Sequence, residues 1–244
     1  EKRAVQRTIS ESVVVGSQEG FVESLRTNIT LMRRYVQSPA LITQMTTVGT
    51  RVPLNIAILY MKGVAREDTL AELLRRVKSV TAATVQGLGQ LEQLIEDRPF
   101  SLTPQMLLTE RPDRAAACVQ DGQIVILADG APYALIAPVT LFHLLHASDD
   151  TFMRWQYGSF LRLIRMLGVL FSLLLPGAYI ALTLYHPHLI PMALLTSIAE
   201  TRAQVPFTAL TEVLVMEFSF YLINEASTRI PSQMGSVIGI VGGL

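Results

Sequence analysis

The chain has 244 residues, enough for one large domain or two modest ones, and half of them are hydrophobic. Basic and acidic side chains number 20 each, and this balance argues against a nucleic-acid-binding module, which normally carries a basic excess. The single cysteine, Cys118, excludes an intramolecular disulfide and indicates a small core residue. Residues 1–150 hold 31 of the 40 charged side chains, which predicts a soluble domain followed by an apolar one.

The first predicted helix lies in SQEGFVESLRTNITLMRRYVQSP. Its apolar residues recur every three or four positions and would form one stripe: Phe21, Leu25, Ile29, Met32 and Val36. Ser17 is predicted as the N-cap, and Pro39 ends the helix because the residue before a proline is disfavoured in the α region. The opposite face of this helix is charged, and it is predicted either to be solvated or to contact a partner or lipid headgroups. Its charged residues are Glu23, Arg26, Arg33 and Arg34.

The next segments alternate between strand and helix patterns. Enrichment in Thr and Val, with Gly49 and Pro53 as punctuation, predicts strands at about 41–48 and 54–61. Two helices are predicted in EDTLAELLRRVKSV and QLEQLIED, the first from its apolar spacing. This alternation of strands and helices makes the charged half α/β or α+β.

A hairpin and a further helix are predicted in the rest of the charged half. Strands near 123–128 and 133–137 flank DGAP, in which Asp129 and Gly130 supply the turn. TERPDR reads as the start of a helix, with Pro112 in its first turn.

Motifs for catalysis or cofactor binding are not found in this half. GLG at 87–89 lacks the remaining glycine and the preceding strand of a dinucleotide loop, so it predicts a linker. A P-loop, a nucleophile elbow and a zincin motif are also missing from the sequence. His143 and His146 could share a helix face, but without carboxylate or cysteine companions they indicate packing rather than a metal site. The sequence therefore predicts no enzyme activity, no cofactor and no metal.

A membrane span is predicted at about 166–185. At a rise of about 1.5 Å per residue this uncharged, mostly apolar run reaches about 30 Å, the thickness of a hydrocarbon core. Pro176 and the glycine after it would break a soluble helix, whereas membrane helices tolerate such a pair and often kink there. The arginines before the span place the charged domain in the cytoplasm by the positive-inside rule. They are Arg154, Arg162 and Arg165.

The segment at about 190–228 combines apolar stretches with charged residues. PMALLTSIA is too short to cross a bilayer, and VPFTALTEVLVMEFSFYLINEA is long enough but contains two glutamates. Carboxylates facing lipid are costly, so these side chains should face protein, water or a pore. An interfacial helix, a re-entrant element and the lining of a hydrophilic path are all open, and the first two are favoured. The candidate pore or interface residues are Glu200, Arg202, Glu212, Glu217 and Asn224.

The last predicted feature is the start of another span at about 235–244. Its glycines lie four apart and would form a smooth strip that lets another helix approach closely: Gly235, Gly239 and Gly243. Both ends of the sequence look cut, and we expect further helices to follow. Residues 154–244 are therefore predicted to begin a helical membrane domain that is truncated at its C-terminus.

Several long blocks resemble the A subunit of GerA-type spore germinant receptors. They are EGFVESLRTNITLMRRY, LIEDRPFSLTPQMLLTERPDRAAACVQDGQIVILADGAPYALIAPVT, LLLPGAYIALTLYHPHLIP and RIPSQMGSVIGIVGGL, and they occur in the family's order and spacing. A sister group, the SpoVAF-like proteins, shares much of this pattern. VGTRVPLNIAILYMKG departs from the more polar, basic stretch that is typical of the family, which leaves the subgroup open.

This resemblance implies a cytoplasmic region of two small α/β subdomains, 1–100 and 101–153, in front of the membrane domain. It also implies a multi-pass protein of the spore inner membrane that contacts lipid, forms homo-oligomers, and assembles with a transporter-like B subunit and a lipoprotein C subunit. The implied function is nutrient-sensing signal transduction with release of cations that starts spore germination. The alternative is a non-conducting adaptor or scaffold between other membrane proteins. A membrane-bound enzyme is a third hypothesis, which would need a nucleotide or metal to bind residues 1–150.

Overall fold

The computed structural model describes residues 11, 16–101, 103–145, 152–203 and 206–229. The chain divides into two compact units, Glu1–Leu163 and Ile164–Leu244. The first unit contains a sheet with helices, and the described part of the second is helical. The predicted class, an α/β region followed by helices, is confirmed.

The first unit is built on one antiparallel sheet of five strands. In chain order the strands are Leu41–Val48 (β1), Leu54–Met61 (β2), Leu107–Thr109 (β3), Ile124–Ala128 (β4) and Ala134–Ala137 (β5). Across the sheet their order is β1-β2-β4-β5-β3. The helices are Leu25–Tyr35 (α1), Glu67–Ser79 (α2), Leu88–Ile95 (α3), Pro112–Gln120 (α4) and Leu141–Leu145 (α5).

Both faces of the sheet are covered by helices. Ala57 and Leu59 of β2 lie in a core shared with α1 and α4, whereas Ile56 and Ile58 lie in a second core shared with α2 and α3. Successive side chains of a strand point to opposite faces, so a strand covered on both sides reads as a continuous apolar run. This explains why every residue of β4, with the sequence IVILA, is buried.

The sheet joins the two ranges predicted as separate subdomains. β4 belongs to the range 101–153 and pairs with β2 of the range 1–100, where Ile126 lies opposite Ile58. A sheet made of β3, β4 and β5 alone would leave β4, apolar on both faces, with an unpaired edge. The sheet therefore extends across the predicted boundary at residue 100, because β4 completes its pairing only with β2.

The predictions of the main strands are confirmed. β1 and β2 occupy the predicted residues and pair without a break from Leu41 opposite Met61 to Val48 opposite Leu54. β4 and β5 form the predicted hairpin, and Gly130 in its turn has a φ of 77°. The three-residue β3 was not predicted, because it is too short for alternation to be recognised.

α1 begins at Leu25 rather than near Ser17. The reason is the fully buried side chain of Asn28, which accepts the N–H of Val22 at 2.9 Å and donates to the Val22 carbonyl at 2.6 Å. These two bonds hold the chain ahead of the helix in a non-helical conformation. Ser17 instead forms a hydrogen bond with the hydroxyl of Tyr35 at 2.6 Å.

The β4–β5 turn contacts the start of α1. Asp129 Oδ1 accepts the N–H of Leu25 at 3.2 Å, and the N–H of Gly130 donates to the carbonyl of Glu23 at 2.7 Å. A carboxylate at this end of a helix also complements the helix dipole. The turn that ends β4 therefore fixes the first turn of α1.

The predicted linker at 87–89 is part of α3. Gly87 is the N-cap of this helix, and Gly89 lies in its first turn. Glycine is tolerated at N-caps, so the glycines mark a helix start here rather than a flexible connection.

Replacing Gly49 by alanine is expected to disturb the β1–β2 turn more than the same change at Gly63. Both glycines have a positive φ, 103° and 81°, so both changes introduce backbone strain. A Cβ at Gly49 would also lie 2.7 Å from the carbonyl oxygen of Val52, whereas a Cβ at Gly63 would meet nothing within 4 Å. Because only the Gly49 variant adds this steric overlap, hydrogen exchange of β1 and β2 amides in the full chain should show a larger loss of stability for Gly49→Ala, by about 1–3 kcal/mol. Equal losses would contradict this account of the turn.

The described residues after the α/β fold form three longer helices: Trp155–Ile180 (α6), Met192–Arg202 (α7) and Ala209–Arg229 (α8). α6 contains most of the predicted span, begins well before residue 166 and continues through Pro176. After α6 the chain departs from α-helical geometry, in a π-helical turn at Ala181–Tyr185 and a 3₁₀ turn at Pro187–Leu189. The change from α-helical to π-helical hydrogen bonding therefore comes after Pro176, and the predicted kink at that residue stays a prediction.

Candidate functional site

The most apolar surface of the described chain belongs to α6 and its π turn. Trp155–Tyr185 spans 31 residues with a mean hydropathy of 2.0 in its most apolar window, none of which is buried. It is the one helix in the described part of the chain that is long and apolar enough to cross a membrane. A helix of the same composition in a soluble core would be mostly buried. The exposed apolar surface therefore indicates that lipid or further protein surrounds this helix.

The predicted orienting arginines lie at the N-terminal end of α6. Arg154 precedes the helix and is exposed, whereas Arg162 and Arg165 lie within it and are half-buried. Trp155 and Tyr185, at the two ends of the segment, are 76% and 75% exposed. Aromatic residues at both ends and cations at one end are typical of membrane helices. The orientation of this helix, with its arginine end toward the cytoplasm, stays a prediction.

A fragment of residues 1–153 is expected to be soluble. Its sheet buries both faces against its own helices, and its exposed apolar side chains are scattered, whereas those of α6 follow one another closely along the helix. The measurement is sedimentation of expressed fragments with and without membranes. A matched fragment of residues 1–185, which keeps α6, should sediment with membranes. If residues 1–153 also sediment with membranes, the membrane boundary is placed wrongly.

Two of the predicted polar residues, Arg202 and Glu212, form an ion pair between α7 and α8. Nη2 and Nε of Arg202 lie 3.2 and 3.4 Å from Oε2 of Glu212. Arg202 is the last residue of α7 and Glu212 lies in the first turn of α8, so each charge complements the dipole of its own helix. Thr208 adds a contact at this end of α8, because its Oγ1 accepts the N–H of Thr211 at 3.4 Å. The pair joins the ends of two consecutive helices.

The other predicted polar residues do not join this pair. Glu200, Glu217 and Asn224 are exposed on α7 and α8. Glu217 lies five residues beyond Glu212, so the two carboxylates point in different directions from the helix. The predicted glycine strip lies outside the described residues: Gly235, Gly239 and Gly243.

The α/β unit contains an open cavity of about 380 Å³ between α2, α3 and the sheet. Its polar rim centres on Arg76, which donates to Glu72 at 2.7 Å and to the carbonyl of Ile95 at 2.9 Å, and forms a salt bridge with Asp97. Hydrogen bonds from Arg75 and Arg76 lower the pKa of Glu72 to about 2. Because this pKa is depressed, the stabilising effect of the carboxylate is present above its ordinary pKa of 4.5 and is lost as the pH falls toward 2. The charged groups at this rim pair and hydrogen-bond with one another, which indicates that they have a structural role.

Two residues whose side chains could take part in catalysis or metal binding, Cys118 and His143, make structural contacts instead. Cys118 packs against the α1–α4 core, as predicted, and burial raises the pKa of its thiol to about 11, which leaves it protonated at neutral pH. Nδ1 of His143 forms a hydrogen bond with Oγ1 of Thr140 at 2.7 Å. His146 lies outside the described residues. Groups of three or more residues able to hold a metal ion are not found in the described part of the chain.

A buried charge at the start of α4 was not predicted. Arg111 is fully buried, and its Nε and Nη2 donate to the carboxylate of Asp113 at 3.0 and 2.5 Å. Arg111 is the N-cap of α4, and Asp113 lies in its first turn. Arg66 and Asp68 repeat this spacing at the start of α2 but are exposed. An Arg-x-Asp triplet at a helix start thus signals the pair, whereas its burial depends on the surrounding fold.

The described chain thus combines an α/β domain, one candidate membrane helix and two further helices whose ends are joined by an ion pair. The family profile of the Bacillus/Clostridium GerA spore germination proteins matches residues 1–244. The chain therefore belongs to the GerA family, and the family predicted from the sequence blocks is confirmed.

Several curated proteins are similar to the chain over nearly its whole length. Spore germination protein B1 of Bacillus subtilis (strain 168) is 40% identical over 242 residues, which are 99% of this chain and 50% of that protein. Spore germination protein KA of the same organism is 36% identical over 244 residues, 100% of this chain and 45% of that protein. The membrane protein YfkQ, also from that organism, is 35% identical, with coverages of 100% and 48%. The chain spans about half the length of the curated relatives it matches.

One solved structure is also similar, the N-terminal domain of the A subunit of the Bacillus megaterium spore germinant receptor GerK3. It is 33% identical, and the alignment covers 50% of this chain and 97% of that domain with a TM-score of 0.42.

Proposed function

We propose that this chain is part of the A subunit of a spore germinant receptor. Membership of the GerA family over all 244 residues carries the proposal and supports a role in spore germination. The protein would be a multi-pass component of the spore inner membrane, with residues 1–153 in the cytoplasm. A transporter-like B subunit, a lipoprotein C subunit and further copies of the chain would be its partners. Residues 154–244 would begin the helical membrane region.

The proposed activity is to couple nutrient sensing to the release of cations, without enzyme chemistry. α8 supports this role because it carries acids within a largely apolar helix. Glu212 is paired with Arg202 and would hold the ends of α7 and α8 together. Glu217, Tyr221 and Asn224 are exposed and share one face of the helix. This face would line a hydrophilic path, with Glu217 as its acid.

Replacing Glu217 by glutamine is expected to reduce nutrient-triggered cation release from spores without loss of the receptor. The carboxamide keeps the shape of the side chain but removes the negative charge that attracts cations. Glu212→Gln should also reduce release, but through a weaker contact between α7 and α8 and with a lower amount of assembled receptor. The matched control is Glu200→Gln, which removes an exposed acid on α7. Release is measured as cation efflux and receptor amount by immunoblot, and normal release in both Glu212 and Glu217 variants would refute the role of these acids.

The second candidate is a non-conducting adaptor. One observation favours it: Glu212 is already neutralised by Arg202 at 3.2 Å, as in a helix that packs rather than conducts. The purified full-length protein in liposomes distinguishes the two functions. A conducting subunit should produce cation flux under some gating condition, and an adaptor should produce none.

A further inference from the structure

One edge of the sheet in the α/β unit is open. β1 is the outermost strand, and none of the described strands pairs with its outer side. The opposite edge is protected, because β3 has only three residues and the N–H of Phe21 donates to the carbonyl of Glu110 at 2.8 Å beside it. The two edges of the sheet are therefore not equivalent.

β1 lacks the devices that normally protect an edge strand. Natural edge strands are short, bulged, or carry Lys or Pro, since a regular edge offers unpaired N–H and C=O groups to another strand. β1 has eight residues in unbroken register with β2, and its sequence, LITQMTTV, contains no charge, proline or glycine. Met45 near its centre is 57% exposed. This edge is suited to accept an additional strand.

A groove lies on each side of this edge. On the α1 side a cavity of about 520 Å³ is lined by residues that include Ile29, Thr43 and Met45. On the α2 side a cavity of about 420 Å³ is lined by residues that include Ile42 and Leu70. Side chains of an added strand alternate between the two faces of a sheet, so its successive residues would reach the two grooves in turn.

Charge distinguishes the two grooves. Arg26 and Arg33 line the α1-side groove and are exposed, and Nη2 of Arg33 lies 3.5 Å from Oγ1 of Thr43 on β1. Asp129 in the same groove is already engaged by the N–H of Leu25. An incoming strand with acidic residues on this face would meet two guanidinium groups. The α2-side groove carries one charge of each sign, Lys62 and Glu67, so Ile42 and Leu70 favour apolar side chains on that face of the added strand.

This charge also argues against pairing of β1 with a second copy of itself. In a two-fold antiparallel pair both α1 helices would lie on the same face of the joined sheet. The arginines of the two copies would then approach one another, and like charges across adjacent strands are destabilising. The observations therefore favour a different partner.

We propose that β1 binds an extended segment of a partner protein by strand addition, and that this segment alternates acidic with apolar residues. The acidic residues lie on the α1 side beside Arg26 and Arg33, and the apolar residues lie on the α2 side. Backbone hydrogen bonds to β1 provide affinity, and the two grooves provide selectivity. The cytoplasmic-side assembly surface of this protein thus includes the free edge of its sheet.

The test uses the full chain in detergent and a labelled, end-blocked peptide of alternating Glu and Val that is as long as β1. Fluorescence anisotropy measures binding, and hydrogen exchange measures protection of the β1 amides. We expect saturable binding with slower exchange in residues 41–48. The double variant Arg26→Glu, Arg33→Glu should bind about tenfold more weakly, because two favourable charge pairs become repulsive.

The double variant Arg51→Glu, Arg98→Glu is the matched control, because it changes the net charge equally at exposed arginines that do not line the groove. It should keep the affinity. A Lys-Val peptide, and a Glu-Val peptide N-methylated on alternate residues, should not bind. Equal binding of the Lys-Val peptide, binding without β1 protection, or β1 protection that depends on protein concentration in the absence of peptide would each overturn the proposal. The last result would identify a self-association surface instead.

Discussion

Replacing Asp113 by alanine is expected to lower the free energy of unfolding of the α/β unit by about 3–5 kcal/mol, because a buried ion pair loses one partner. The change leaves the fully buried guanidinium of Arg111 without its carboxylate. Hydrogen exchange of the β4 amides in the full chain measures the effect. β4 is buried along its whole length, so its amides should exchange mainly through global opening.

Asp68→Ala is the matched control for this prediction. Asp68 has the same position in α2 as Asp113 has in α4, two residues after an N-cap arginine. The side chains of Arg66 and Asp68 are 78% and 72% exposed, so water screens their pair and the change should have little effect. The double variant Arg111→Met, Asp113→Leu should recover part of the loss, since no charge remains buried without a partner. Equal destabilisation by Asp113→Ala and Asp68→Ala would contradict the role of burial.

Replacing Glu212 by arginine is expected to separate the joined ends of α7 and α8, because it places a second cation beside Arg202. Arg202→Glu should have the same effect by placing two acids together. Combining the two changes restores the attraction, and the coupling energy should be about 1–3 kcal/mol. Recovery should be incomplete, since each exchanged charge opposes the dipole of its helix, at a cost of about 0.3–1 kcal/mol. Thermal unfolding of the full chain in detergent supplies the double-mutant cycle.

Glu200→Arg serves as the control for this ion pair, because Glu200 is on α7 and exposed. It should change the thermal midpoint much less than either change in the pair. If the effects of the Arg202 and Glu212 changes simply add, the observed contact contributes nothing to holding the ends of α7 and α8 together.

The elements that were predicted well are those encoded by neighbouring residues. β1 and β2 have the predicted bounds because Gly49 and Pro53 mark the end of one regular strand pattern and the start of the next. The β4–β5 hairpin was recognised from Asp129 and Gly130 for the same reason. Pro112 likewise marked the start of α4. Local backbone preferences decide these features, so a single sequence carries enough information for them.

The features that were missed depend on residues far apart in the chain. The pairing of Ile58 with Ile126 merges two predicted subdomains into one sheet, and no local pattern encodes it. The burial of Arg111 depends on the packing around α4, so the same triplet at Arg66 remains exposed. In the candidate site, too, the residues could be identified from the local sequence but their contact could not. Arg202 and Glu212 were both identified as polar residues of an apolar segment, but their pairing required the turn between α7 and α8.

The contact between the β4–β5 turn and α1 has a consequence for the order of folding during synthesis. Leu25 obtains its hydrogen-bond partner from Asp129, which is 104 residues later in the chain. Because a ribosome extends the chain from its N-terminus, α1 emerges long before this partner exists. The β1–β2 pair needs only neighbouring residues and can form earlier. The first turn of α1 can therefore obtain its full set of hydrogen bonds only after the β4–β5 turn has been synthesised.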